Sequence, residues 1–177
     1  RALAGNWFLV LAGYMGISWL AQRWALSSTS LGMQYAGLAA FVAAEAVVFL
    51  PLLYVAVYKT RDPNVLPTAG LITAITFGGL TALVLLSKKD FTFMGGALRV
   101  AGFASLGLIL ASMLFGFSLG VFFAFAMVVF AGGSIVYETS NVLHRYRPGQ
   151  HVAASLALFA SVALLFWYVL RILTSRR

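Results

Sequence analysis

Hydrophobic positions run along this chain in long blocks that are separated by short polar segments. The uncharged runs cover residues 2–22, 24–44, 63–87, 100–137 and 148–170. A helix needs roughly 20 mainly apolar residues to cross a bilayer, and these runs reach that length. The pattern therefore predicts an all-α protein, a polytopic bundle of membrane helices rather than a soluble domain.

The polar segments divide the chain into six predicted transmembrane helices within a single integral membrane domain, residues 1–177. Glycine and serine near residue 117 separate the fourth helix from the fifth. Pro51 lies inside the second helix and is expected to bend it, because proline has no backbone N–H to donate. The predicted helices cover about residues 6–24, 34–58, 65–86, 93–115, 120–143 and 152–173.

Composition and charge agree with a membrane location. The chain is 62% hydrophobic and 9% charged, whereas a soluble domain carries roughly a quarter charged residues. The net charge of +8 comes from basic residues in the connections and at the C-terminus, where they meet lipid headgroups. We therefore expect the lipid bilayer as a partner, and no nucleic acid.

Two acidic residues lie within apolar segments and are the first functional candidates. A charge in the bilayer core is costly, so Glu45 is either a neutral, hydrogen-bonded acid or a proton or cation site beside water. Glu138 ends the fifth apolar segment and shares a helical face with Asn141 and Arg145. Glu138 has the same two interpretations and a third, a salt bridge to Arg145 or Arg147.

The other polar groups favour structural roles. Asp62 and Asp90 stand beside basic residues in loops and are predicted to be solvated surface groups. His144 and His151 have no acidic or cysteine cluster near them in the sequence, which is weak support for metal binding. The chain has no cysteine, and it shows no Ser/His/Asp set, zinc motif or phosphate loop. The sequence therefore predicts a protein that is not an enzyme and has no metal or cofactor.

Three segments of the second half resemble the Bax inhibitor 1 (transmembrane BAX inhibitor motif) family, and most closely its bacterial YccA-like branch. They are KKDFTFMGG at 88–96, IVYETSNVLH at 135–144 and HVAASLAL at 151–158. The resemblance extends over about residues 65–171. It implies a seven-helix bundle with the last helix at its centre, so we expect that this chain lacks the first helix. It also implies the bacterial cytoplasmic (inner) membrane.

The resemblance also implies a function. In the calcium-leak members of the family, two aspartates on the last two helices share a proton and gate a cation path. Glu138 matches the first of these positions, whereas the second falls at Ser161, which cannot supply a second negative charge. The YccA-like branch is best known for modulating a membrane-embedded quality-control protease.

We therefore expect a regulator of membrane protein quality control or of the stress response that also acts as a pH-sensitive leak for calcium ions or protons. Its protein partner would be a membrane-embedded protease or another large membrane complex. The alternative is a non-transporting accessory subunit packed against a large membrane complex. The candidates for an ion or proton pathway are Glu138, Glu45, Ser161 and Asn141.

Overall fold

A computed structural model describes residues 7–27, 30–60 and 62–175 and shows an all-helical fold, as predicted. Six long helices are present in this part of the chain, and no strand. A short π-helical segment, Val55–Lys59, continues the second helix, and a single 3₁₀ turn, Thr92–Met94, precedes the fourth. The helices are α1 (Trp7–Ala25), α2 (Leu31–Tyr54), α3 (Val65–Ser87), α4 (Gly95–Phe115), α5 (Val121–His144) and α6 (His151–Ser175).

Five of the described helices are long and apolar enough to cross a membrane, namely those at Leu31–Lys59, Val65–Ser87, Thr92–Phe115, Val121–His144 and His151–Ser175. The sixth, α1, has 19 described residues and ends in a more polar turn that contains Arg23. The passage of α1 across the bilayer therefore stays a prediction. The bundle as a whole is that of a polytopic helical membrane protein.

The helix boundaries differ from the predicted ones by a few residues, for local reasons. Helix α2 begins at Leu31 rather than at residue 34, because the Ser30 hydroxyl accepts a hydrogen bond from the Met33 N–H at 3.1 Å and caps the helix. Pro51 stays inside α2, and the chain widens into the π-helical segment four residues later. The predicted first position of α1, residue 6, lies outside the described residues.

Helix α6 lies at the centre of the bundle, as the family resemblance implied. It packs against α1, α2, α3 and α5, and its side chains Leu165 and Leu170 are completely covered. By contrast, α4 packs mainly against α5 and leaves Phe103 and Leu114 exposed. Helix α6 therefore forms the core of the bundle, and the groups described below lie around it.

Helices α2 and α6 run in the same direction. Near their first residues, the Tyr35 hydroxyl lies 3.5 Å from Nε2 of His151. About four turns further on, the rings of Phe49 and Phe166 stack with their centroids 5.8 Å apart. Residues of α2 can therefore be assigned a depth in the bundle by their neighbours on α6.

The short connections place the helix ends on two opposite faces. We call the first the Tyr146 face, because the loop 145–150 joins α5 to α6 there. We call the second the Arg171 face, because Nη2 of Arg171 donates a hydrogen bond to the carbonyl of Leu119, in the loop between α4 and α5, at 3.2 Å. Helix α2 begins at the Tyr146 face and ends at the Arg171 face.

A glycine allows α1 and α2 to approach closely. A Cβ atom at Gly37 would lie 2.7 Å from the Ala21 carbonyl oxygen and 2.9 Å from Cβ of Trp24. Small residues at such crossings let two membrane helices pack backbone to backbone. The position of α1 on α2 therefore depends on this glycine.

Candidate functional site

Glu138 lies half-buried on α5 and faces a cavity of about 300 Å³ between α1, α5 and α6. We call this space the Glu138 cavity. Because Tyr146 of the loop 145–150 is part of its wall, the cavity reaches the Tyr146 face. Its polar lining groups are Gln22, Ser134, Glu138, Tyr146 and Ser161, and its apolar ones are Ala25, Leu26, Ala153, Leu156, Ala157 and Ala160.

The Glu138 carboxylate has a hydrogen-bond partner on its own helix. Nδ2 of Asn141 donates to Oε2 of Glu138 at 3.2 Å, as the spacing of three residues allows. The amide oxygen of Asn141 is buried and has no hydrogen-bond partner within the described part of the chain. Asn141 therefore holds the carboxylate in place but does not itself line the cavity.

Arg145 and Arg147, the candidate salt-bridge partners of Glu138, lie on the exposed side of the connection that follows α5. Within residues 62–175, Glu138 forms no ion pair with Arg145 or Arg147, and both arginines are exposed. Helix α5 ends at His144, and Arg145 already leaves the helical conformation with φ −122°. The helical face that would have carried Arg145 to Glu138 therefore stops before the arginine.

Ser161 lies on α6 and lines the same cavity as Glu138, as the resemblance implied for this position. Its side chain is 7% exposed, and its hydroxyl donates to the Ala157 carbonyl at 3.1 Å. The hydroxyl hydrogen is thus used within α6. The structure brings Glu138, Asn141 and Ser161 together, with one carboxylate and no counter-charge among the lining groups of the cavity.

Sequence reasoning missed Tyr146, whose phenol group belongs to the Glu138 cavity. Burial, and then the nearby negative charge of Glu138, raises the pKa of Tyr146 to about 12. The phenol therefore stays neutral at physiological pH and keeps its O–H as a hydrogen-bond donor. No helical pattern reveals this residue, because it lies in a loop between two arginines.

Glu45 lies apart from the Glu138 cavity, buried in the middle of α2. The Tyr14 hydroxyl of α1 donates to Oε1 of Glu45 at 2.7 Å. This is the short distance typical of strong O–H···O hydrogen bonds. Tyr14 is a second residue of the candidate site that the sequence did not single out, because its partner is 31 positions away.

Two further cavities meet at Glu45. One, of about 480 Å³, reaches the loop between α4 and α5, and its polar lining groups are Tyr14, Glu45, Ser112, Ser118, Tyr168 and Arg171. The other, of about 640 Å³, lies between α2, α3 and α6, and apart from Glu45 and Thr73 its lining is apolar. The carboxylate therefore stands at the border of a polar and an apolar space. In the described residues, no three histidines or acids lie close enough together to hold a metal ion.

Asp90 is exposed, as predicted, but it also organises the loop before α4. Its Oδ1 accepts from the Thr92 N–H at 2.8 Å and from the Ser140 hydroxyl at 3.4 Å, and that hydroxyl accepts from the Phe91 N–H at 2.9 Å. The hydrogen bond from the Thr92 backbone is the main reason that the pKa of Asp90 lies below its usual range, with His144 as a smaller cause. The loop is thereby fastened to α5 two residues beyond Glu138.

Comparison with known proteins gives a consistent result. The family model described as "Inhibitor of apoptosis-promoting Bax1" matches residues 2–177. An uncharacterized protein of Pseudomonas aeruginosa is 30% identical over 94% of this chain and 73% of its own length. The Golgi anti-apoptotic protein of Vaccinia virus is 33% identical over 63% of this chain and 48% of its own.

A fungal relative carries the family name itself. Bax inhibitor 1 of Schizosaccharomyces pombe is 37% identical over 58% of this chain and 39% of its own length. The chain thus spans about half or less of the viral and fungal relatives. No solved structure matches it significantly. The match of the family model over nearly all residues, together with the helical membrane fold, shows that this chain belongs to the Bax inhibitor family of integral membrane proteins.

Proposed function

We propose that this Bax inhibitor-like protein is a pH-sensitive cation leak in which Glu138 binds the ion, a proton or a calcium ion. The observation that supports this proposal is the environment of the carboxylate. Glu138 lies in a membrane helix, has one amide partner at 3.2 Å and faces a cavity whose lining groups carry no positive charge. A charged carboxylate within a membrane helix is costly, by up to about 2.5–3.5 kcal/mol at the helix centre on insertion scales, so neutralising Glu138 with a proton or a cation is favourable.

The lining groups favour a proton over a calcium ion. Calcium binds six to eight oxygen ligands, usually including several carboxylates. The cavity offers one carboxylate, two serines, a glutamine and a tyrosine. Ser161 stands where the calcium-leak members are expected to have an acid, so Glu138 supplies the single negative charge of the cavity. We therefore propose proton leak as the main activity and calcium leak as the weaker one.

Flux measurements on the full chain in liposomes test the proposal. A pH-sensitive or a calcium-sensitive dye is trapped inside, and flux is followed between pH 5 and pH 8. Glu138→Gln is expected to lower proton flux at least tenfold, and Glu138→Asp to restore part of it. Asp90→Asn is the control, since this acid is exposed and outside the cavity. Flux equal to that of empty vesicles, or unaffected by Glu138→Gln, contradicts the proposal.

A second candidate function is regulation of membrane protein quality control or of the stress response, by a non-enzymatic chain in the bacterial inner membrane. Helix α4 supports it: among the described elements it packs only against α5 and the 3₁₀ turn before it, and Val100, Phe103 and Leu114 point outward. This face could pack against helices of a membrane-embedded protease or of another large complex. The presence of relatives with anti-apoptotic names agrees with a regulatory role.

Affinity purification in mild detergent tests this second candidate. A tagged full-length protein is expected to retain a membrane protease or a large complex, and Phe103→Asp is expected to release it. Leu83→Asp on the exposed side of α3 is the matched control. A protein that is extracted as a solitary monomer under native conditions contradicts the regulatory candidate.

A further inference from the structure

The cavity of about 480 Å³ at Glu45 opens toward the face of the membrane opposite to that of the Glu138 cavity. We call it the Arg171 cavity. Ser118 and Leu119, in the loop between α4 and α5, form one end of its wall, and Arg171 lies beside them. The Glu138 cavity reaches the loop 145–150 at the other end of α5 and α6. The two cavities thus enter the bundle from opposite faces.

Glu45 lies at the inner end of the Arg171 cavity. Phe49 contacts Trp167 with ring centroids 5.1 Å apart, which places these two residues at one depth. Glu45 is one turn further inward on α2, and Arg171 is one turn further outward on α6. At 1.5 Å per residue, the Cα atom of Glu45 therefore lies roughly 12 Å below that of Arg171 along the bundle axis.

The ring of Phe41 packs against residues that line the two cavities. Phe41 is one turn from Glu45 toward the Tyr146 face and is 2% exposed. Its ring centroid is 6.3 Å from that of Tyr14, which lines the Arg171 cavity, and 6.2 Å from that of Phe159. Phe41 also belongs to the same packed cluster as Leu156, which lines the Glu138 cavity.

We propose that the Arg171 cavity is the second half of the cation pathway, that the Tyr14–Glu45 pair is its internal binding site, and that the Phe41 ring closes it from the Glu138 cavity. This inference rests on the proposed leak function. A hydrophobic constriction between two water-accessible spaces blocks ions by excluding water. The ion would pass from Glu138 past Phe41 to Glu45, so that two acids on α5 and α2 replace the pair that Ser161 interrupts.

The absence of cysteine from the whole chain makes the two cavities separately testable. Ser134→Cys places a thiol in the Glu138 cavity, and Ser112→Cys places one in the Arg171 cavity. Phe103→Cys is the control, since Phe103 lies on the outward side of α4. Lys89→Cys and Lys59→Cys report the Tyr146 face and the Arg171 face, respectively.

A membrane-impermeant, anionic thiol reagent is added to one side of vesicles at a time. The Ser134→Cys variant is expected to react from the side that labels Lys89→Cys, and the Ser112→Cys variant from the side that labels Lys59→Cys. Both are expected to react at least tenfold faster than the Phe103→Cys variant. Equal rates in all three variants, or labelling of both cavity positions from one side, overturns the inference.

Flux separates this inference from the proposed function. Glu45→Gln is expected to lower proton flux at least tenfold, as Glu138→Gln does, and Phe41→Ala to raise it severalfold. If the alanine variant is not monodisperse in size-exclusion chromatography, Phe41→Leu replaces it in the test, because leucine keeps most of the buried volume. The expected rise in proton flux is then smaller. If Glu138→Gln stops flux while Glu45→Gln and the Phe41 variants leave it unchanged, the inference falls and the proposed function stands. If neither acid matters, both fall.

Discussion

The two membrane-embedded acids of this chain differ in where their hydrogen-bond partner comes from. Glu138 is held by Asn141, three residues later on the same helix, at 3.2 Å. Glu45 is held by Tyr14, which belongs to a different helix, at 2.7 Å. The environment of Glu138 is therefore partly encoded locally, whereas that of Glu45 exists only if α1 packs correctly on α2. Variants that move α1 should therefore weaken the hydrogen bond between Tyr14 and Glu45 far more than the one between Asn141 and Glu138.

The largest effect is expected for Gly37→Ala, which pushes α1 away from α2. The new methyl group would lie 2.7 Å from the Ala21 carbonyl oxygen, and overpacking of this kind costs about 1–3 kcal/mol. We expect a corresponding loss in the free energy of unfolding in mixed micelles, together with loss of the Tyr14–Glu45 hydrogen bond.

The matched control for this variant is Gly78→Ala on α3, where an added Cβ atom meets nothing within 4 Å. It is expected to leave stability unchanged or to raise it by a few tenths of a kcal/mol, because alanine has the higher helix propensity. Equal effects of the two alanines would show that the contact between α1 and α2 does not depend on Gly37.

An intermediate effect is expected from double-mutant cycles on the two acid pairs. Tyr14→Phe combined with Glu45→Gln should give a coupling energy of about 1.5 kcal/mol, at the lower end of the range for hydrogen bonds that involve a charged group. Asn141→Ala combined with Glu138→Gln should give about 0.5 kcal/mol, because that bond is longer and borders a polar cavity. Unfolding of all variants in the same micelles provides the measurement. A larger coupling at Glu138 would reverse the comparison drawn above.

The smallest effect concerns the loop that is fastened to α5 beyond Glu138. Because the pKa of Asp90 is lowered in the folded protein, its charge stabilises the fold above the ordinary aspartate pKa of about 3.9, and this contribution is lost as the pH falls through the lower folded value. Asp90→Asn should therefore lower the melting temperature slightly between pH 5 and pH 7, and the difference from the unmodified protein should disappear in more acidic buffer. A difference that persists there would mean that the side-chain geometry, and not the charge, fastens the loop.

Particular residues show how far the sequence reasoning reached. Long apolar runs predict helices well, since a bilayer tolerates backbone only when its hydrogen bonds are made internally. The family resemblance correctly led to Ser161 as a residue near Glu138, and helical spacing led to Asn141. The same spacing put Arg145 on the helical face of Glu138, but α5 ends at His144 and Arg145 lies outside the helix.

The groups that sequence reasoning missed share one property, which is that their partners are distant in the chain. Tyr14 binds Glu45 across 31 positions, and the Phe91 N–H binds the Ser140 hydroxyl across 49. Tyr146 lies in a loop that folds back over the Glu138 cavity. Such contacts follow from the packing of whole helices, for which no short-range pattern exists.

The sequence by itself determined that this protein is a helical membrane protein of the Bax inhibitor family, with two acids inside its apolar segments. Hydrophobic length suffices for the helices, because each helix satisfies its own backbone. The family follows from the resemblance of the segments at 88–96, 135–144 and 151–158. Only the tertiary structure decided which groups surround each acid, because side chains from three or four helices must meet to form a cavity. It placed Glu138 and Glu45 in different cavities, which reach opposite ends of the bundle, and it packed the ring of Phe41 against residues that line both.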